Sequence, residues 1–267
     1  MEQRDVVVTG AAGRIGSYLR TAAGGGLRAR GWRTRLVDAD RPAHPAPAED
    51  EPFTPVDLTD ELAVERLAPA LAGADGVVHL AGIPSEDTWT RVRRANVDGT
   101  YRVLEAARRA GVRRVVLASS NHAVGYYPTD REAPVDRAPR PDSFYGVSKV
   151  AVEALGSLYA DKYGLEVVSL RIGLCADRPA TTFDLGIWLS PDDAVRLVDA
   201  ALRGPVDGPV VAYGVSANAR AWWDLSTARA LGYAPEDDAE RFAGEVAPYD
   251  GPLGVLGHAM VGEDPLR

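Results

Sequence analysis

Asp5-Val-Val-Val-Thr9-Gly10-Ala-Ala-Gly13-Arg14-Ile15-Gly16 is the stretch on which the fold turns. A short β-branched run predicts a buried strand, and the amphipathic segment after the glycines, to about Ala23, predicts a helix. A strand, a glycine turn and a helix in that order bring backbone N–H groups and a helix N-terminus together, which is a seat for a pyrophosphate. The spacing is G-x-x-G-x-x-G, one residue longer at the first interval than the standard dinucleotide fingerprint. With 27 glycines in the chain the triplet alone says little. Its place between strand and helix gives it meaning.

Arg33-Thr-Arg-Leu-Val-Asp38 reads as a second strand with a carboxylate at its end. An acidic residue about 20 positions after the glycine turn accepts both hydroxyls of an adenosine ribose and repels a 2′-phosphate, which favours NAD over NADP. Arg41 follows closely and offers a phosphate contact, so the preference for NAD is not strict on sequence alone. Residues 40 to 55 carry five prolines and read as an ordered surface loop. Val56-Asp57-Leu58 precedes a helix from about Glu61 to Leu71. Gly76-Val-Val-His-Leu80 is another buried strand, leading into Ala81-Gly82-Ile-Pro-Ser85, and His79 inside it reads as a core histidine. A helix is predicted from about Thr88 to Ala110. Asn96 within it is either solvent-facing or a buried amide that fixes nearby backbone.

The chemistry concentrates between Ser119 and Lys149. Arg114-Val-Val-Leu-Ala118 is a strand that runs into Ser119-Ser120-Asn121-His122, and a Pro- and Arg-rich loop leads on to Tyr145-Gly-Val-Ser-Lys149. Tyr145 and Lys149 lie four apart at the start of a long apolar-periodic helix and share a face. A hydroxyl-bearing strand end can meet both there. Leu165 to Leu170 is a further strand leading to Arg171-Ile-Gly-Leu-Cys175, followed by a loop to about Leu189. Ser190-Pro191-Asp-Asp starts a helix, with Ser190 as cap and Pro191 at the first helical position. Gly208 to Tyr213 is the last clear strand. Trp222-Trp223-Asp224 is expected to open a helix, with its tryptophans packing rather than binding.

The alternation implies an α/β chain with one doubly wound, Rossmann-like parallel sheet across residues 1–267 and a small C-terminal substrate-binding portion. At 267 residues, 46% hydrophobic and 25% charged, the composition is that of an ordinary globular protein. A net charge of -8 argues against a nucleic-acid or anionic-membrane partner. One cysteine allows no intrachain disulfide, and four scattered histidines show no metal-ligand spacing. Neither a signal pattern nor a bilayer-length apolar run is present, so a cytoplasmic location is expected.

With Gly10, Gly13, Gly16, Asp38, Ser120, Tyr145 and Lys149 in order, the sequence resembles the short-chain dehydrogenase/reductase superfamily, in its extended, epimerase/dehydratase-like branch. Asp57-Leu58 and Leu80-Ala81-Gly82 fit that branch's cofactor loops. The similarity is closer to the NAD-dependent uronate dehydrogenases, through Ser119 to Pro128, Arg171-Ile172-Gly173, Trp188 with Ser190 to Asp193, and Trp222 to Asp224. The resemblance implies NAD as cofactor, held by Gly10, Gly13, Arg14, Ile15, Gly16, Asp38, Asp57, Leu58, Leu80, Ala81, Tyr145, Lys149, Ile172 and Cys175. It implies catalysis by Ser120, Tyr145 and Lys149, and oxidation of a cyclic sugar, a hexuronate or related aldose, at its anomeric carbon to a lactone. Ser85, Ser120, Asn121, His122 and Tyr145 would contact that sugar, with substrate-binding segments at about 174–190 and 214–267. A homo-oligomer built from the helices of Asn96 and Tyr145 is also implied.

Leu174 stands where the uronate dehydrogenases have a sugar-binding serine, Asp184 where they have a carboxylate-clamping arginine, and Pro84 where they have a serine. Arg178 is the expected replacement for the clamp. The alternatives are a sugar-phosphate dehydrogenase, a non-catalytic NAD-binding regulator, and a nucleotide-sugar epimerase or dehydratase. The last calls for a larger C-terminal lobe than the 118 residues after Lys149 (267 minus 149).

Overall fold

The computed structural model describes residues 4–43, 46–129, 132–251, 254–257 and 260. Strands β1 (Arg4–Thr9), β2 (Trp32–Asp38), β3 (Phe53–Pro55), β4 (Gly76–His79), β5 (Arg114–Ser120) and β6 (Glu166–Ile172) come first. The pair β7 (Leu174–Cys175) and β8 (Trp188–Leu189) and then β9 (Val210–Gly214) complete the strands. The helices are α1 (Arg14–Thr21), α2 (Gly26–Ala29), α3 (Ala63–Leu71), α4 (Trp89–Val92), α5 (Gly99–Ala110), α6 (Phe144–Tyr163), α7 (Asp184–Ile187), α8 (Pro191–Arg203) and α9 (Ser226–Ala230).

Seven strands form one parallel sheet in the order β3-β2-β1-β4-β5-β6-β9. The chain winds outward from β1 to β3, crosses back to β4, and continues to the other edge. The strand order therefore reverses between β1 and β4, and a crevice opens beyond their C-terminal ends.

Each strand feeds two cores because successive side chains point to opposite faces. Val6, Val8 and Val116 pack with Leu19, Leu27, Val195 and Leu197 from α1, α2 and α8. Val7, Val115 and Leu117 pack with Leu67, Leu104, Val152 and Tyr159 from α3, α5 and α6. Each such aliphatic side chain contributes roughly 1.5–3 kcal/mol by leaving water. This is the doubly wound arrangement that the strand-helix alternation implies. A third cluster, with Val124, Tyr213, Trp223 and Leu256, ties the C-terminal residues to the loop after β5.

Several local expectations are corrected. The proline-rich loop contains β3, which pairs with β2 from Leu36↔Phe53 to Asp38↔Pro55. The helix expected over Thr88 to Ala110 is α4, a π-helical turn over Arg93–Asp98, and α5. Asn96 is buried inside that turn, and local periodicity does not reveal such an insertion. The loop to Leu189 holds β7, α7 and β8. Trp222 to Asp224 opens no helix; α9 begins at Ser226. Tertiary contacts decide that segment. The Trp223 indole donates to Gly186 O (3.1 Å) and packs on Tyr213, and its backbone bridges to Ala133. Ser190 caps α8 as expected, accepting from Asp193 N (2.9 Å), with Pro191 first in the helix.

Candidate active site

The glycine turn lies at the reversal point. Gly10 has φ +73°, and a Cβ there would stand 2.5 Å from Ala81 N, so the β1 turn and the loop after β4 touch only because this residue has no side chain. Gly16 meets the turn equally closely: a Cβ would lie 2.4 Å from Gly10 O. Gly13 precedes α1 without a side-chain cap, leaving the first-turn N–H groups of Arg14, Ile15 and Gly16 to the crevice. These donors line a cavity of about 450 Å³. An adjoining pocket of about 160 Å³ is lined by Asp38, Asp57, Leu58 and Ala81. The Asp38 carboxylate is aimed by backbone, its Oδ2 accepting from Ala12 N (2.9 Å) and its Oδ1 from Ala39 N (2.8 Å). Uncapped donors beside the large cavity and a fixed carboxylate in the small one fit a dinucleotide laid across both.

The far wall of the larger cavity carries the reactive groups. Ser120 ends β5, and Tyr145 and Lys149 project from the first turns of α6. Lys149 Nζ donates to Ala118 O (2.8 Å) and lies 5.4 Å from the Tyr145 ring centre. Both side chains are 7% exposed. Burial pulls the Lys149 ammonium down to about 8. It pushes the Tyr145 phenol up to about 12, opposed by the Ser120 hydroxyl and reinforced by the Asp142 charge. Beneath this wall, Glu153 accepts from Ser119 Oγ (2.5 Å) and from Arg171 Nε (2.8 Å), joining β5, β6 and α6. His79 donates to or accepts from Thr9 and Thr100 inside the core, and burial holds it at about 3, so it stays neutral as a core histidine.

Asn96 is the buried amide of the two sequence readings. It accepts from Ile83 N (2.8 Å) and donates to Ile83 O (3.1 Å) and Ser148 Oγ (2.9 Å), so it fixes the loop after β4 against α6. The paired tryptophans pack, with ring centres 5.8 Å apart, and line neither pocket.

The fourteen residues expected around the cofactor all line one of the two pockets. Ten, including Ile172 and Cys175, line the larger; Asp38, Asp57, Leu58 and Ala81 line the smaller. Ser85 and Ser120 line the larger cavity as well. Asn121 and His122 are buried at the end of β5 but do not line it. The Asn121 amide donates to Leu256 O (3.3 Å), and His122 Nδ1 lies 2.8 Å from Asp142 Oδ2.

Arg178 is not brought there. It pairs with Glu245 (2.6 Å) and lies over the Phe242 ring, on a surface where both charged side chains are more than half exposed. Asp184 is spent on the chain itself, its Oδ2 accepting from Ala180 N and Thr181 N. Arg41, the other cation weighed for a phosphate, lies over the Phe53 ring and lines neither pocket. Ile83, Ala118 and Gly173 also line the cavity wall without a sequence signal, Ile83 and Gly173 from the loops after β4 and β6 and Ala118 from β5 itself. Sequence reasoning missed Glu86, whose carboxylate meets the start of α6.

The profile of the NAD dependent epimerase/dehydratase family matches residues 6–175. The chain belongs to this family. The chain is 41% identical over 241 residues to a uronate dehydrogenase of Pseudomonas syringae, covering 90% of this chain and 85% of that protein. It is 38% identical over 265 residues to an NAD-dependent glucose-6-phosphate dehydrogenase of Haloferax volcanii, covering 92% and 98%. A crystal structure of a mutant uronate dehydrogenase from Agrobacterium tumefaciens complexed with NAD superimposes with a TM-score of 0.88 at 37% identity, covering 99% of each chain. Among the described residues, no group of three or more His, Cys, Asp or Glu is arranged to hold a metal, and no helix is long and apolar enough to cross a membrane.

Proposed function

We propose that this protein oxidises a cyclic sugar, a hexuronate or related aldose, at the anomeric carbon to a lactone, with NAD as oxidant. The observation that carries the reading is one cavity holding Ser85, Ser120, Tyr145 and Lys149 on one wall and the uncapped start of α1 on the other. Similarity to NAD-linked sugar dehydrogenases supports the same class.

Ser120 holds the sugar hydroxyl, and Tyr145 takes its proton as the carbon–oxygen double bond forms. Bound in its oxidised form, NAD would supply the acceptor for the hydrogen and electron pair leaving the anomeric carbon, and a positive charge on its ring. Burial alone leaves Tyr145 protonated near neutrality. Its work as a base therefore depends on nearby positive charge, and Lys149 is the protein's own source of it. Holding Lys149 at Ala118 O fixes that charge one helical turn from the phenol. Asp38 binds the adenosine ribose through the carboxylate that its backbone contacts aim. Ser85 contacts the sugar from the loop after β4, and Asn121 and His122 support the Ser120 end of β5.

The segment at 174–190 and the described part of the segment at 214–267 close the substrate side in this reading, while residues 252, 253, 258, 259 and 261–267 lie outside the described residues. Leu256, buried against the loop after β5, gives that closure a physical basis. We place the protein in the cytoplasm, in keeping with its single, buried, unpaired Cys175. We also propose a homo-oligomer through α4, α5 and α6. Trp89, Tyr101, Val147, Leu158 and Tyr163 are exposed on these helices, and a second copy would cover them.

The test is purified protein with NAD and a panel of uronates, neutral aldoses and sugar phosphates, followed by NADH absorbance. Reduction by a uronate or aldose is the expected result. Reduction by sugar phosphates alone, or by nothing in the panel, overturns the assignment.

A further inference from the structure

The loop after β4 supplies Gly82, Ile83, Pro84 and Ser85 to the cavity wall, and it is bound to α6 at two points. Asn96 makes the first, bridging Ile83 and Ser148. Glu86 makes the second. Its Oε1 accepts from Phe144 N (3.0 Å) and its Oε2 from Tyr145 N (2.8 Å).

A helix start leaves its first N–H groups without partners inside the helix, and the residue before it ordinarily supplies the acceptor. Here Ser143 does so, but only for Gly146 N (2.9 Å). The two N–H groups that remain, one of them belonging to Tyr145, are given to a carboxylate 58 and 59 residues earlier in the chain. Both oxygens are engaged against the positive end of a helix, where an anion binds well. Glu86 itself lines neither pocket. It is the next residue after Ser85, so one peptide unit separates the loop's sugar-facing hydroxyl from a clamp on the backbone of Tyr145.

We propose that Glu86 is a positioning residue that sets the distance between the Ser85 loop and Tyr145, so that the sugar's two contacts move as one body. The proposal rests on the sugar-dehydrogenase reading for its kinetic consequence. The linkage itself does not need turnover to be seen. Displacing a reacting group by about 1 Å costs on the order of 100-fold in rate. Loosening the loop thus falls mainly on the sugar, because the α1 N–H groups and Asp38 that would hold the cofactor's pyrophosphate and ribose belong to elements other than the α6 start to which Glu86 bonds.

The experiment compares wild type with Glu86→Gln, which keeps the size and one acceptor, and Glu86→Ala, which keeps neither. Hydrogen–deuterium exchange is read in peptides spanning 82–87 and 143–149. In Glu86→Ala both peptides are expected to exchange faster together, with Glu86→Gln between the two. Faster exchange in 143–149 alone makes Glu86 a helix cap and overturns the proposal. On the kinetic side, kcat/KM for the sugar is expected to fall about 10- to 100-fold in Glu86→Ala, with KM for NAD held. Adding Ser85→Ala should then cost less than it does in wild type, because the loop is already displaced. Equal loss for sugar and NAD, or additive effects of the two substitutions, overturns it as well. Absence of sugar turnover in wild type refutes the dehydrogenase reading and leaves the exchange arm to decide the linkage.

Discussion

Replacing Lys149 with methionine tests whether this side chain is held as a charge against the preference of its surroundings. Burial lowers its ammonium from the ordinary 10.5 to about 8, so below pH 8 the folded protein carries a charge disfavoured by about 3 kcal/mol. Its hydrogen bond to Ala118 O returns part of this, about 2 kcal/mol for a charged donor. Methionine is similar in length, fits an apolar site and carries no charge. Lys149→Met is therefore expected to be more stable than wild type by about 1 kcal/mol at pH 7, while its dehydrogenase activity is lost.

The sign of the pH dependence follows from a folded value below the unfolded one. Between about pH 8 and 10.5 the unfolded chain holds a proton that the folded chain has released, so wild-type stability rises with pH across that window. The variant lacks this gain. Urea unfolding of both proteins without cofactor, at pH 7 and pH 10, should show its advantage shrinking to nothing or reversing. A variant less stable at pH 7 by an amount that does not change with pH would refute the reasoning.

Gly10→Ala puts a Cβ 2.5 Å from Ala81 N at φ +73° and is expected to cost more than about 2 kcal/mol in urea unfolding, with NAD affinity lost. A stable variant with normal NAD binding would mean the turn is looser than described. Asp38→Ala is expected to raise KM for NAD about 10-fold and to raise the relative use of NADP, since an acceptor and a repelling charge leave together. An unchanged ratio of the two cofactors would remove Asp38 from the ribose. Arg178→Ala breaks an exposed pair worth less than about 1 kcal/mol and should leave stability and the sugar KM within about twofold of wild type. A large rise in that KM would return Arg178 to the substrate.

The residues that show how far sequence carries are Gly10, Asp38, Ser120, Tyr145 and Lys149. Each belongs to a short pattern whose geometry is local: a turn after a strand, a strand end, or one face of one helix. Local geometry survives folding, and these residues line the two pockets. Asn96 and Glu86 show the opposite case. Their partners lie 13, 52, 58 and 59 residues away, and nothing in the flanking sequence marks the π-helical turn that buries Asn96. Arg178 failed for a related reason. Charge and proximity in sequence suggested a clamp, but Glu245 and Phe242, 67 and 64 residues on, hold it at the surface.

The most direct test of the central claim is Tyr145→Phe, assayed for NAD reduction with the best sugar of the panel alongside NAD binding by titration. Removing one hydroxyl from a buried ring should lower turnover by about 10³-fold and leave NAD affinity within about threefold of wild type. Retention of more than about a tenth of the activity would contradict Tyr145 as the base, and with it the site described here.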